Sequence, residues 1–209
     1  MKLIVFGATG TVGKEIVKQA LYNGNKVKAF GRNVFTEGLP ENENLELVQG
    51  ALFDESEVLK AIKGCDAVLS AIGGATDGTD KTRSLGMKNI VKQMEKAGVK
   101  KIIALGGAGV LDAADGKMVM EQEGFPPEYY AVSQEHKKAY ESLKNSSLDW
   151  VFVCPPMITE GEPTGIFKTE ANHLPGPNNF KISSGNLALF MLKEIVANGF
   201  SKQRVGISG

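Results

Sequence analysis

Seven residues near the start of the chain, Gly7-Ala8-Thr9-Gly10-Thr11-Val12-Gly13, have the types and spacing to hold a pyrophosphate. They follow the apolar run Leu3-Ile4-Val5-Phe6 and open a stretch of helical periodicity. That is the context a dinucleotide-binding turn requires. Gly7 allows a tight turn out of a strand, Gly10 lets the backbone approach the phosphates, and Gly13 lets the helix pack on the strand. The helix N-terminus adds unpaired N–H groups and a partial positive charge. Thr9 and Thr11 offer hydroxyls or a helix cap, with Val12 beside them.

The next informative residues are Phe30-Gly31-Arg32-Asn33. A carboxylate at the end of the second strand would take the ribose 2′-OH of NAD. Here none occurs before Glu37. Arg32 lies about 20 residues past the turn, where a guanidinium can pair with the extra 2′-phosphate of NADP. Asn33 can add a hydrogen bond. The expected cofactor is therefore NADP(H) in preference to NAD(H). Three more turns of small residues leave room for adenine, ribose and nicotinamide: Gly50-Ala51-Leu52, Ala71-Ile72-Gly73-Gly74 and Gly106-Gly107-Ala108-Gly109.

Positioning these turns needs alternating strands and helices. Strands are expected at Leu3–Phe6, Lys26–Phe30, Leu45–Val48, Ala67–Ala71, Lys101–Leu105 and Leu148–Val153. Helices are expected at Thr11–Tyr22, Glu55–Ile62, Lys81–Ala97, Glu128–Lys144 and Leu187–Val196. In the third helix Leu85, Met87, Ile90, Val91 and Met94 are expected to face inward, and Gly98 to end it. Arg204–Ile207 reads as an edge strand. The alternation predicts a Rossmann-like α/β fold, a doubly wound parallel sheet with helices on both faces. Strands with little internal polarity suit burial on both sides. One domain, 1–209, is the simplest account, with substrate-side loops at about 155–185.

Composition narrows the function. Lys+Arg and Asp+Glu are both 24 among 209 residues, so no net field draws nucleic acid or an anionic membrane. No signal peptide or membrane-length apolar run is visible, which predicts a cytoplasmic protein. Cys65 and Cys154 imply no disulfide framework, and His136 and His173 have no metal-ligand spacing. The expected partner is a small molecule, with the chain a monomer or small homo-oligomer.

The Gly7–Gly13 turn, Arg32, the Ala71–Gly74 turn, the Gly106–Leu111 segment and the Cys154-Pro155-Pro156 step together carry a family resemblance. They are spaced as in atypical, extended-type short-chain dehydrogenases/reductases. The chain resembles their NAD(P)H-binding branch, which holds the biliverdin-IXβ/flavin reductases and the NmrA-like nitrogen-repression regulators. Pro155-Pro156-Met157-Ile158, Pro163-Thr164-Gly165 and Ile182-Ser183 with Leu187–Leu192 resemble the flavin reductases in particular. Most short-chain dehydrogenases carry a catalytic Ser after the fifth strand, and here Gly107 stands near that place. Their Tyr-x-x-x-Lys pair would fall near Ser133 and Lys137, without the Tyr. Tyr130 is followed four residues later by Gln134. Tyr140 and Lys144 have the spacing but lie too close to the sixth strand, and read as a chance pair.

A dehydrogenase using Tyr as general acid is therefore not expected. The resemblance implies hydride transfer from the nicotinamide to a flavin or similar planar conjugated acceptor, with the proton from solvent and no assigned catalytic residue. Lys137 at the nicotinamide ribose and His136 as a proton donor are further candidates, although each such residue is more often a solvent-exposed helix residue. Cys154, Pro155, Met157 and Ile158 would wall the nicotinamide, or simply pack after the strand. Two alternatives stand beside this reading. One is a non-catalytic dinucleotide sensor of the NmrA-like type, and the other a sugar-nucleotide epimerase or dehydratase.

Overall fold

A computed structural model describes residues 1–36, 38–177 and 179–209. Glu37, the first carboxylate after the second strand, lies outside the described residues. The elements follow the expected alternation: β1 Lys2–Phe6, α1 Thr11–Tyr22, β2 Lys26–Gly31, β3 Leu45–Gln49, α2 Glu55–Ile62, β4 Ala67–Ser70, α3 Thr82–Ala97 and β5 Lys101–Leu105. Three short 3-10 turns then precede α4 Tyr130–Lys144 and β6 Asp149–Cys154. The chain continues through β7 Met157–Thr159, β8 Lys168–Ala171, β9 Lys181–Ser183, α5 Ser184–Ala197 and β10 Gln203–Ser208.

Eight strands form one sheet in the order β3-β2-β1-β4-β5-β6-β10-β8. The chain builds outward from β1 through β2 to β3, then returns to add β4 on the other side of β1. The order reverses between β1 and β4, where α/β sheets open a crevice at the strands' carboxyl ends. β1 shows how the sheet is held. Leu3 and Val5 join the apolar cluster with α1 and α5, while Ile4 and Phe6 join the cluster with α2, α3 and α4. Successive side chains point to opposite faces, so a strand covered on both must be apolar throughout.

Local chemistry sets the helix ends. The Asp54 carboxylate accepts from the N–H groups of Ser56 and Glu57 and starts α2. Gly98 ends α3 in the left-handed conformation at φ +74°. Along α3, Met87, Ile90, Val91 and Met94 are buried, but Leu85 is 51% exposed. At 100° per residue Leu85 points about 200° away from Met87, off the inward stripe.

The sheet corrects two further expectations. β10 is not an edge strand: it pairs parallel to β6 and antiparallel to β8, which takes the edge. The stretch after Pro155 is also more ordered than its composition suggests. β7 pairs with β9 in a small parallel ladder beside the main sheet. The cis peptide bond among the described residues is at Gly176–Pro177, not at Pro155 or Pro156. No helix among the described residues is long and apolar enough to cross a membrane.

The assignment of α3's faces has a direct check. Met94→Ala is expected to destabilise the protein by about 2–5 kcal/mol. Leu85→Ala is expected to change stability by no more than about 0.5 kcal/mol. Urea unfolding of both variants tests this, and equal losses would put Leu85 in the core.

Candidate functional site

The carboxyl ends of β1, β2, β3 and β4 open into a cavity of about 710 Å³. Its floor is the turn after β1. Gly7 adopts φ +74°, and a Cβ there would lie 2.4 Å from the Ala71 carbonyl oxygen. A Cβ on Gly13 would lie 2.0 Å from the Gly7 carbonyl oxygen. These two positions therefore exclude any side chain. Gly10 differs: a Cβ there would meet nothing closer than 3.5 Å. The protein's own packing does not require glycine at this position, and its bare face borders the cavity.

The turn closes with Gly10 N–H donating to the Gly7 carbonyl at 3.1 Å, and α1 begins with Lys14 N–H donating to Gly10 at 2.8 Å. No side chain caps α1, and its first turn holds no acidic residue. Its positive end is thus not compensated by an acidic residue of its own first turn, unlike that of α2, where Asp54, Glu55 and Glu57 do so. Thr9, Thr11 and Val12 line the cavity beside Gly7 and Gly10.

One wall comes from the ends of β2 and β3. Phe30, Gly31 and Arg32 stand on one side, and Gly50, Ala51, Leu52 and Phe53 on the other. The Gln49 side chain donates to the Arg32 carbonyl at 2.9 Å and ties the two turns together. Among the described residues no carboxylate pairs with the Arg32 guanidinium. The opposite wall holds Ala71, Ile72, Gly73, Thr82, Leu105, Ile158 and Glu160. The cavity is therefore cationic on its β2 side and carries one carboxylate on its β7 side.

The loop from Gly73 to Thr82 is tied down from within. The Asp80 carboxylate accepts from Thr82 N–H at 2.7 Å and Ala75 N–H at 3.1 Å. The bonds around Thr82 hold this carboxyl below its ordinary range. The Arg83 guanidinium donates to the Ala75 and Gly74 carbonyls at 2.8 and 2.9 Å. Behind it, Glu135 is buried. Burial acts to raise its carboxyl, but bonds from Ser84, Lys138 and Lys81 hold it below its ordinary value.

Of the residues singled out from sequence, Gly7, Thr9, Gly10, Thr11, Val12, Arg32, Ala51, Leu52, Ala71, Ile72, Gly73 and Ile158 line this cavity together. The others stand elsewhere. Gly13 is packed beneath the turn. Asn33 is exposed, its carbonyl accepting from Thr36. Lys137 pairs with Glu121 at 3.3 Å, which draws its ammonium toward the surface turn at Val119–Glu121. Cys154 is fully buried, donates to the Phe152 carbonyl, and has its thiol pushed up to about 12 by burial. Pro155 is buried and accepts from Ala108 N–H at 2.9 Å. Met157 is 58% exposed outside the cavity. Gly107 packs against His136. Tyr140 stacks on Phe152 and meets Trp150 edge-on, with the Arg204 guanidinium 4.9 Å from its ring centre, so its spacing to Lys144 serves packing. Phe53, Thr82 and Glu160 line the cavity without having been singled out. Phe53 follows the Gly50–Leu52 turn and was open to inference from it; Thr82 and Glu160 carry no local motif.

Known proteins share this architecture. A Burkholderia pseudomallei structure, provisionally described as an exported protein, is 34% identical, covers 100% of both chains and has a TM-score of 0.86. A Bacteroides thetaiotaomicron structure, provisionally described as an epimerase, is 27% identical over 99% of this chain and 96% of its own, with a TM-score of 0.87. A Streptococcus pneumoniae structure, provisionally described as an NADH-flavin reductase, is 26% identical over 100% of this chain and 99% of its own, with a TM-score of 0.83. The family described as NAD(P)H-binding matches residues 7–198, from the first glycine of the phosphate turn to the end of α5. With an oxidoreductase-type Rossmann fold and a match across nearly its whole length, the chain belongs to the NAD(P)H-binding family.

Proposed function

We propose that the protein is an NADPH-dependent reductase that delivers hydride to a flavin or similar planar conjugated acceptor. The observation that carries this reading is one continuous cavity with an uncapped helix N-terminus on its floor, Arg32 on one side and an apolar wall of Leu105 and Ile158 on the other. The bare face of Gly10 fits a pyrophosphate, because a side chain there would fill the cradle while making no more than an ordinary contact, 3.5 Å, with the Gly7 carbonyl oxygen. Arg32 would take the 2′-phosphate, and the N–H groups of Thr11 to Gly13 the pyrophosphate.

The nicotinamide supplies the hydride. The chain's own residues supply position: Gly73, Leu105 and Ile158 line the cavity away from Arg32, where their apolar surface would orient a flat ring. Such an acceptor takes its proton from solvent, so the lack of a Ser/Tyr/Lys set does not stop the reaction. That same lack favours the second reading, a dinucleotide sensor without turnover. It weighs against an epimerase, which needs a residue to remove and return a proton. A protein consuming NADPH in this way would work in the cytoplasm, as a monomer or small homo-oligomer.

Nicotinamide absorbance, followed with and without FMN, tests the proposal. Wild type is expected to oxidise NADPH faster than NADH when FMN is present. Arg32→Ala is expected to lose that preference by about 10- to 100-fold, as removal of a charge-assisted hydrogen bond does. Tight NADPH binding without turnover of any planar acceptor would favour the sensor.

The two glycines give a second test. Gly10→Ala is expected to fold normally and bind NADPH at least about tenfold more weakly, since its Cβ enters the phosphate site. Gly7→Ala is expected to lose more than about 1 kcal/mol of stability, from a left-handed φ without room for a side chain. Unchanged nucleotide affinity in Gly10→Ala would remove the phosphate-cradle argument.

A further inference from the structure

Two of the side chains that line the cavity carry charge, Arg32 after β2 and Glu160 after β7. They belong to different parts of it. Arg32 follows β2 and Leu105 ends β5, with β1 and β4 between those strands. Three strand spacings separate the two ends, about 14 Å. The Arg32 end suits a phosphate. The other end has the apolar surface of Leu105 and Ile158, and no lysine or arginine lines it.

The backbone fixes where the Glu160 carboxylate stands. Met157 and Ile158 pair with Lys181 and Ile182 in the β7–β9 ladder. Side chains alternate along an extended segment, so Ile158 and Glu160 share one face, about 7 Å apart. Both line the cavity, while Thr159 between them donates to the Ile182 carbonyl at 3.4 Å. Beyond Glu160 the chain is pinned to the start of α5. Gly185 N–H donates to the Gly161 carbonyl at 2.9 Å, and Ser183 Oγ to the Glu162 carbonyl at 3.3 Å. A Cβ on Gly185 would lie 2.4 Å from the Pro163 nitrogen, so this strap rests directly on the helix.

The charge on the strap is uncompensated. Glu162 pairs with Lys18 at 3.2 Å. Among the described residues no hydrogen bond or ion pair reaches the Glu160 carboxylate. On the loop that ends at Thr82, the charges of Asp80 and Arg83 offset one another.

We propose that Glu160 selects the acceptor by charge, its carboxylate turning away anionic acceptors, so that the flavin this site takes best is one without a phosphate. The inference rests on the reductase reading and narrows its substrate class to uncharged planar acceptors, such as riboflavin or a quinone. Direct contact is not required. At physiological ionic strength a charge acts over about 8 Å, and a ring lying on Ile158 is within about that distance of Glu160. The phosphate of FMN carries about −1.5 to −2 at neutral pH. The cofactor's own phosphates have favourable partners in the N-terminus of α1 and in Arg32. A phosphate carried by the acceptor has none at the Ile158 end.

Steady-state kinetics with riboflavin and with FMN, each at saturating NADPH, test the proposal. Wild type is expected to favour riboflavin by about tenfold in kcat/KM at low ionic strength, the effect of a unit charge on a dianion about 7 Å away. Raising the salt to about 0.5 M is expected to shrink that preference to about twofold. Glu160→Gln keeps the shape without the charge, and is expected to lose most of the preference at low salt. Glu160→Lys is expected to reverse it. Any effect of these substitutions on NADPH cancels in the ratio, because both flavins meet the same loaded site. Equal ratios in wild type and Glu160→Gln, with turnover of either flavin, would overturn this inference alone. So would a wild-type preference for riboflavin that salt leaves unchanged. Absence of turnover with both flavins would instead remove the reductase reading, and this inference with it.

Discussion

The site depends on one steric constraint, the meeting of three backbone segments where none leaves room for a Cβ. Gly7 turns against the Ala71 carbonyl at the end of β4, and Gly13 of α1 rests on the Gly7 carbonyl. These contacts bring the N-terminus of α1 to the point where the strand order reverses. The helix end, the bare face of Gly10 and the Arg32 side of the cavity take their places from that junction. Longer side chains at either glycine would lift the helix from the strands and move its positive end away from the crevice.

The fold was legible because its strongest signals are local. An apolar strand, a glycine turn and a periodic helix follow one another within the first 22 residues, and each sets its own geometry. The Arg32 side of the site was legible for the same reason: Arg32 directly follows β2, Gly50 and Ala51 follow β3, and the carboxyl end of a strand in this fold faces the crevice. The other side was not. Cys154 ends a strand and Pro155 directly follows it, but β6 leads into a second ladder that begins at Met157, turning Met157 outward and Ile158 and Glu160 toward the cavity. That pairing joins residues more than 20 apart in sequence, and no local pattern specifies it. β8 escaped notice because Lys168-Thr169-Glu170-Ala171 lacks apolar alternation; its antiparallel partner β10 defines it. Leu85 looked inward because it is leucine, but its angle around α3 decides its exposure.

The missing Ser and Tyr take on a different meaning in three dimensions. Sequence shows only a glycine at 107 and no tyrosine at the usual spacing. In the folded chain the glycine gives its space to an imidazole from α4, and Ser133 packs against Gly109 in the same loop. The polar groups of α3 and α4 form one connected set: Glu135 binds Ser84 and Lys81, and Arg83 holds the loop that borders the cavity. The helices that would carry acid–base residues in a dehydrogenase are here bound to each other and to the loops they support.

The packing of α1 on α5 has a consequence for how the molecule forms. The glycine turn is complete by Gly13, but α1 is covered on one flank by a helix more than 160 residues later, with Gln19 donating to the Gly185 carbonyl at 3.0 Å. Contacts so distant in sequence carry a large loop-closure cost and slow the search for the native state. The glycine turn, although it precedes α5 by so many residues, is therefore expected to become rigid only once α5 has docked. During synthesis an emerging chain carries the whole fingerprint long before it can grip a phosphate, and a nucleotide that binds only the finished fold would select completed molecules over partial ones.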